Sequence, residues 1–263
     1  MKASSRNLKA LLDYIYPPLD QLLSKPLVKG GNAIEEKHII VYSKQGGGKS
    51  STVQYLIKKA KEKYGDENVN ALEGEPEELL IFGWSKKPVD ILVFEDITCK
   101  KLSSDVLNMF FQARHIKKEF TGLDKGLIVI FITAHRYHGI PLELRTDADV
   151  MIFKHAPINM YDYHVVKNLV GEDSVKLMEK LRDPRNPEKY KSYSFVVIGH
   201  EKLGFIQTEL VEKQTKKLVV KLEKAIERHQ PHKWIRALAL VGIAFSLSYI
   251  LLASIIALIG VFG

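Results

Sequence analysis

Three glycines, Gly46, Gly47 and Gly48, stand directly before Lys49, Ser50 and Ser51 in the run Ile-Ile-Val-Tyr-Ser-Lys-Gln-Gly-Gly-Gly-Lys-Ser-Ser-Thr-Val of residues 39–53. Residue types in this order can cradle a phosphate chain. Glycines let the backbone approach closely, loop N–H groups point inward, and a helix N-terminus favours the anion. In the pattern G-x-x-x-x-G-K-[ST], the lysine reaches the β/γ-phosphates and the hydroxyl residue ligates Mg2+. Gly48, Lys49 and Ser50 meet it, while its first position holds Ser43 instead of Gly. An ordinary β-to-α turn would also carry glycines. The apolar run Ile39–Val41 before the loop and the helix formers after it favour the phosphate reading. Ser43, Gly46, Gly47, Gly48, Lys49, Ser50 and Ser51 are therefore the candidate nucleotide-binding residues, with ATP and Mg2+ as the expected ligands.

A second set of polar residues closes an apolar run. Val89–Phe94 is apolar apart from Asp90 and ends in Glu95-Asp96. Carboxylates at the C-terminal end of a buried parallel strand sit where open α/β sheets bind ligands. One would hold Mg2+ with Ser50 and the other would polarise an attacking water. Both are thus candidate metal ligands. The run Leu127–Thr133 likewise ends in polar residues, Thr133, His135 and Arg136. His115, His135, His138 and His155 lack close metal-ligand spacing, so packing or exposure is their default.

These residues need strands and helices to hold them. The spacing predicts an α/β fold: a P-loop NTPase with a central, mostly parallel sheet flanked by helices, followed by a C-terminal transmembrane helix. Amphipathic stretches at Leu8–Ile15 and Leu19–Leu23 read as lead-in helices. A helix should follow the glycine loop to about Tyr64, and Gly65–Asn68 reads as a turn. Strands are expected at Val69–Leu72, Val89–Phe94, Leu127–Thr133 and Asp149–Lys154, with a helix over Ser104–Lys118. Residues 73–87 give no clear pattern. Asp162–Arg182 reads as helical with a break at Gly171, Asp183–Lys191 as a loop, and Tyr193–Gly199 with Gly204–Leu210 as two antiparallel strands joined by a turn at 200–203. Four segments result: a helical lead-in (1–36), the ATPase domain (37–210), a charged amphipathic helix with a basic juxtamembrane stretch (211–236), and the anchor (237–263).

The chain has 263 residues, enough for one α/β domain and appendages. Its formal net charge of +8 favours polyanionic partners, nucleic acid or an anionic membrane, although a solvated basic surface has the same composition. The single cysteine, Cys99, excludes an intramolecular disulfide and fits a reducing compartment. Residues 1–30 lack an uninterrupted apolar core, so no signal peptide is expected.

Ala237–Gly263 contains no charged residue and is dominated by Leu, Ile, Val, Ala and Phe. As a helix it would extend about 40 Å at roughly 1.5 Å per residue, enough to cross a bilayer core of about 30 Å once, with tilt. Arg228, His229, His232, Lys233, Trp234 and Arg236 lie just upstream and no charge follows. That flank predicts a single-pass tail anchor, with the N-terminal ATPase domain cytosolic. Lys213, Lys216, Lys217, Lys221 and Lys224 would face solvent, DNA or lipid phosphates.

The segment from Met109 to His155 adds Met-Phe-Phe-Gln-Ala-Arg-His, Leu-Ile-Val-Ile-Phe-Ile-Thr-Ala-His-Arg and Ile-Pro-Leu-Glu-Leu-Arg-Thr-Asp-Ala-Asp-Val-Met-Ile-Phe-Lys. Together with the P-loop, residues 37–210 resemble the FtsK–HerA superfamily of DNA-pumping ATPases, in particular the genome-packaging ATPases of large eukaryotic and archaeal viruses. The resemblance rests on Arg114-His115 and on the spacing from Pro141 to Arg145. It implies that Glu95 takes the metal side and Asp96 the water side, an order in which the two could exchange, since the family usually has Asp first. It makes Thr133 or His135 the sensor in place of a glutamine. It makes Arg145 a candidate finger toward a neighbouring subunit, with an ion pair as the equal alternative, and leaves Arg114 closer to a structural role. It implies a homo-oligomeric, hexameric ring acting on double-stranded DNA, tethered in a host or virion membrane. A membrane anchor moves the resemblance toward zonula-occludens-toxin-like assembly ATPases of filamentous phages. The expected function is ATP-driven DNA translocation in viral genome packaging or export. The alternatives are an assembly or secretion ATPase that moves protein subunits, and a nucleotide-dependent membrane scaffold with little turnover.

Overall fold

Residues 127–134 run Leu-Ile-Val-Ile-Phe-Ile-Thr-Ala, and every one of these side chains is buried. A strand with two dry faces belongs inside a sheet covered on both sides. The structure, a computed structural model, describes residues 5–24, 33–98, 102–157, 159–179, 181, 193–199 and 201–207. Helices α1 (Ser5–Ile15) and α2 (Leu19–Ser24) precede strand β1 (Ala33–Tyr42) and helix α3 (Lys49–Tyr64). Then come β2 (Val69–Gly74), α4 (Pro76–Phe82), β3 (Val89–Phe94), α5 (Ser104–Phe111), α6 (Ala113–Thr121) and β4 (Lys125–Ala134). The described chain continues through α7 (Leu142–Thr146), β5 (Val150–Phe153), α8 (Met160–Val170), α9 (Glu172–Glu179), β6 (Tyr193–Ile198) and β7 (Glu201–Gln207).

The strands form one sheet in the order β2-β3-β4-β1-β5-β6-β7. Strands β1 to β5 run parallel, and β6 and β7 are antiparallel additions beside β5. This is the expected α/β architecture. Alternate residues of each strand enter opposite cores. Helices α1, α2 and α3 cover one face, where Leu11, Ile15, Val53 and Leu56 meet Ile39, Val41 and Val129. Helices α4 to α9 cover the other, where Leu80, Phe110, Val166 and Met178 meet Ile40, Ile130 and Phe153.

Two charges sit among these apolar layers. Asp90 and Lys117 are both fully buried, with Lys117 Nζ donating to Asp90 Oδ2 at 2.6 Å. Asn70 Nδ2 and Ser85 Oγ also donate to Asp90, at 2.9 and 2.7 Å. Removing one partner of such a pair leaves an uncompensated buried charge and costs about 3–5 kcal/mol. The pair therefore pins α6 beneath β3.

Several elements depart from the sequence expectation. β1 begins at Ala33, well before Ile39, because the charges of Glu36 and His38 are paired rather than solvated: His38 Nε2 lies 2.7 Å from Glu36 Oε1. Residues 76–82 form α4, opened by Pro76 with Glu77 and Glu78 in its first turn, an arrangement that suits a helix N-terminus. The single helix expected over Ser104–Lys118 is two, because Gln112 leaves helical geometry (φ −103, ψ 10). The turn between the last two strands falls at Gly199 (φ 53), and β7 starts at Glu201. The loop 183–191, residues 208–210, the charged helix and basic stretch (211–236) with its lysines, and the membrane anchor (237–263) lie outside the described residues. Among the described residues no helix is long and apolar enough to cross a membrane.

Candidate functional site

The loop between β1 and α3 is built around two left-handed glycines, Gly46 (φ 71) and Gly48 (φ 88). Between them Gly47 has no room for a side chain: a Cβ there would stand 1.8 Å from Ser43 Oγ and 3.0 Å from the Lys44 carbonyl oxygen. Ser43 is fully buried, and its hydroxyl has no hydrogen-bond partner among the described residues. The serine in the first motif position is thus accommodated by the glycine at 47. The Ser43 N–H donates to the Ala134 carbonyl at 3.1 Å, tying the loop to β4. The loop ends where α3 begins, so Lys49, Ser50 and Ser51 occupy its first turn and leave the helix's free N–H groups facing the loop.

Lys49 is half-buried, and its ammonium donates to the Ser43 carbonyl at 3.2 Å and to His135 Nδ1 at 2.6 Å. Burial lowers the Lys49 pKa, and the negative charge of Asp96 opposes that shift. On the far side of the ring, His135 Nε2 lies 3.0 Å from Asp96 Oδ2. An ammonium cannot accept a hydrogen bond, so Nδ1 carries the lone pair and Nε2 the proton, a tautomer assigned from these partners.

The order of strands explains this meeting. β3, which bears the acidic pair, is not adjacent to β1; β4 lies between them. Its polar C-terminal end therefore faces the P-loop on one side and the carboxylates on the other. Thr133 Oγ1 accepts the Asp96 N–H at 2.9 Å and donates to the Phe94 carbonyl at 3.3 Å. Thr98 Oγ1 accepts the His135 N–H at 2.7 Å and donates to Asp96 Oδ1 at 2.8 Å. Asp96 itself has φ 41, the one non-glycine residue with positive φ among those described. Asp tolerates this region better than most residues, yet it is strained there.

Glu95 is exposed and turns to the other side, with its N–H on the Gly74 carbonyl at 3.2 Å. Its carboxyl group meets Glu73 at the end of β2. Burial, then the hydrogen bond and charge of Glu95, raise the Glu73 pKa, while Gln54 of α3 opposes them by donating to Glu73 Oε2 at 3.3 Å. Among the described residues no group of three or more His, Cys, Asp or Glu could hold a metal ion. Mg2+ is usually held by one or two carboxylates with phosphate oxygens and water. Ser50 and Glu95 offer the hard oxygen donors such an ion takes.

The fold is a mostly parallel α/β sheet flanked by helices, with a glycine loop of P-loop form between β1 and α3. Among solved structures, the chain is similar to B204, the DNA-packaging ATPase from Sulfolobus Turreted Icosahedral Virus: 10% identity, 66% of this chain and 98% of that one, TM-score 0.46. It is also similar to the genome-packaging NTPase B204 of Sulfolobus turreted icosahedral virus 2 in complex with ATP-gammaS, at 8% identity, the same coverage and a TM-score of 0.46. The pCW3 conjugation coupling protein TcpA gives 10% identity over 72% of this chain and 65% of that one, with a TM-score of 0.41. No family model matches the chain, and no curated protein matches it. Viral genome-packaging ATPases, the family the sequence resembles, are among these similar structures.

Other expected residues fall outside this cluster. Arg145, in α7, has its guanidinium 5.6 Å from the centroid of the Tyr137 ring, and its buried Nε has no hydrogen-bond partner among the described residues. Arg114 Nε pairs with Glu36 Oε2 at 3.2 Å, the structural alternative, and His115 is exposed. Sequence reasoning missed Thr98 and Glu73, since an isolated threonine and a glutamate in an unpatterned stretch carry no signal until β2 and β4 are placed beside β3. It also missed Lys154, 4% exposed at the end of β5, whose amine donates to Ser194 Oγ at 3.2 Å and is pushed down to about 7 by burial.

Proposed function

We propose that the chain is a Mg2+-dependent ATPase that works as a membrane-tethered homo-oligomeric ring and couples hydrolysis to translocation of double-stranded DNA, in genome packaging or export. The observation that carries the reading is the convergence of Lys49, His135 and Asp96 at the mouth of a glycine loop and a helix N-terminus. Lys49 would bind the β/γ-phosphates and Ser50, with Glu95, the Mg2+ that neutralises their charge. Asp96 would orient the attacking water and take its proton as the oxygen bonds to the γ-phosphorus and the bond to the β–γ bridging oxygen breaks. Thr133 and His135 would report the γ-phosphate to β4. The trans role of Arg145 would require its guanidinium to leave the Tyr137 ring.

Full-length protein in detergent, assayed for ATP turnover with and without double-stranded DNA, tests this. DNA-stimulated turnover is expected. Basal turnover indifferent to DNA would replace translocation with the movement of protein subunits, and ATP binding with negligible turnover would replace both with a scaffold.

A further inference from the structure

A second concavity of about 490 Å³ opens beside the P-loop, bounded by Lys44, His135, Arg136, His138, Asn159 and Tyr161. In P-loop geometry the lysine marks the β/γ end of the triphosphate. His135 stands 2.6 Å from that lysine and is also a wall of the concavity, so the two spaces share one side chain. The concavity therefore lies beyond the γ-phosphate end of the site and not at its base end.

Its chemistry is cationic. Lys44 and Arg136 are exposed, and neither takes part in a salt bridge among the described residues. Among the described residues no Asp or Glu lines it. Asp162 stands behind the wall, but it is fully buried and already saturated. It accepts the backbone N–H and Nδ1 of His138, each at 2.7 Å, Asn159 Nδ2 at 2.8 Å and the Tyr42 hydroxyl at 3.4 Å. Its charge is taken up by His138, Asn159 and Tyr42, and no described carboxylate pairs with Lys44 or Arg136. The other wall is also held: the backbone N–H of Lys44 donates to His155 Nε2, while His155 Nδ1 donates to the Ala156 carbonyl at 2.5 Å.

We infer that this concavity is a holding and exit site for inorganic phosphate. The γ-phosphoryl group, once transferred to water, passes over His135 into a space lined by the exposed cations Lys44 and Arg136 and by hydrogen-bond donors while ADP remains on the loop. A nucleic-acid duplex is too large to enter. The inference rests on the ATPase reading and adds to it the route of one product.

The test is phosphate binding to the full-length protein in detergent, titrated with inorganic phosphate alone in the presence of saturating ADP. Arg136→Glu is expected to weaken phosphate at least tenfold while ADP affinity stays within twofold. Arg136→Lys is expected to retain most of the affinity, and the exposed position makes both variants safe for folding. Unchanged phosphate affinity in Arg136→Glu overturns the inference. So does an ADP affinity that falls in parallel, which would place Arg136 on the nucleotide itself, and so does displacement by duplex DNA of a ligand that phosphate cannot displace. Should ADP fail to bind the wild-type protein, the ATPase reading falls. The concavity is then decided by phosphate titration without ADP in Lys49→Ala protein, which lacks the loop's own cation: a tenfold loss on adding Arg136→Glu keeps the site, and no loss removes it.

Discussion

Nδ1 of His135 lies 2.6 Å from the ammonium of Lys49, so the P-loop lysine and the polar end of β4 form one bonded unit. In the proposed function Lys49 would be the side-chain cation the loop directs at the β/γ-phosphates, and loss of one preorganised electrostatic contact of this kind costs about 10²–10³ in rate. Lys49→Ala should lower ATP turnover by that factor. Initial rates within twofold of wild type would remove the P-loop assignment.

The acidic pair separates into two directions, Asp96 toward His135 and Glu95 toward Glu73. Asp96→Asn should bind ATP and fail to hydrolyse it, because an amide accepts no proton from water. Glu95→Gln should instead weaken Mg2+-dependent nucleotide binding. Binding titrations with and without Mg2+, set beside turnover, check both, and interchanged phenotypes would exchange the two roles.

Stability should fall with rising pH through one histidine. His38 is 6% exposed and is held between Glu36 and Asp147, with Arg114 on Glu36 and Phe110 against its ring. Burial alone would lower its pKa, but the two carboxylates overcome that and raise it from 6.5 to about 9. The folded state therefore binds this proton more tightly than the unfolded chain. The contribution is complete below pH 6.5, declines above it and is lost beyond about 9. A shift of that size corresponds to at most about 3 kcal/mol, and the half-exposed Asp147 reduces it. Urea unfolding between pH 6 and 9.5 should show the decline in wild type and lose it in His38→Gln. A parallel decline in the variant would assign the effect elsewhere.

The uncharged run Ala237–Gly263 should keep full-length protein in the membrane pellet through an alkaline carbonate wash. Release into the supernatant would rule out a spanning anchor.

The central strands and the glycine loop were legible because they are local: apolar runs such as Leu127–Thr133 and the order Gly48-Lys49-Ser50 state their structure without help from the rest of the chain. The acidic pair and the polar end of β4 were also found. What joins them was not, because the hydrogen bonds through Thr98 and Thr133 exist only once β4 is inserted between β1 and β3. Charged residues misled in the same way. Glu36 and His38 concealed the first half of β1, since their partners Arg114 and Asp147 lie far along the chain. Asp90 stood out as the polar residue of an apolar strand, but Lys117 could not be matched to it by spacing.

The left-handed backbone of Asp96 sets this fold's resistance to unfolding against its work. Glycine would relax a conformation that costs a side-chain-bearing residue on the order of 1 kcal/mol, and it would also delete the carboxylate on which His135 and Thr98 converge. Under the proposed function, Asp96→Gly would end hydrolysis and release Thr98 and His135 from their shared partner, so the strain persists because the carboxylate is held from two sides.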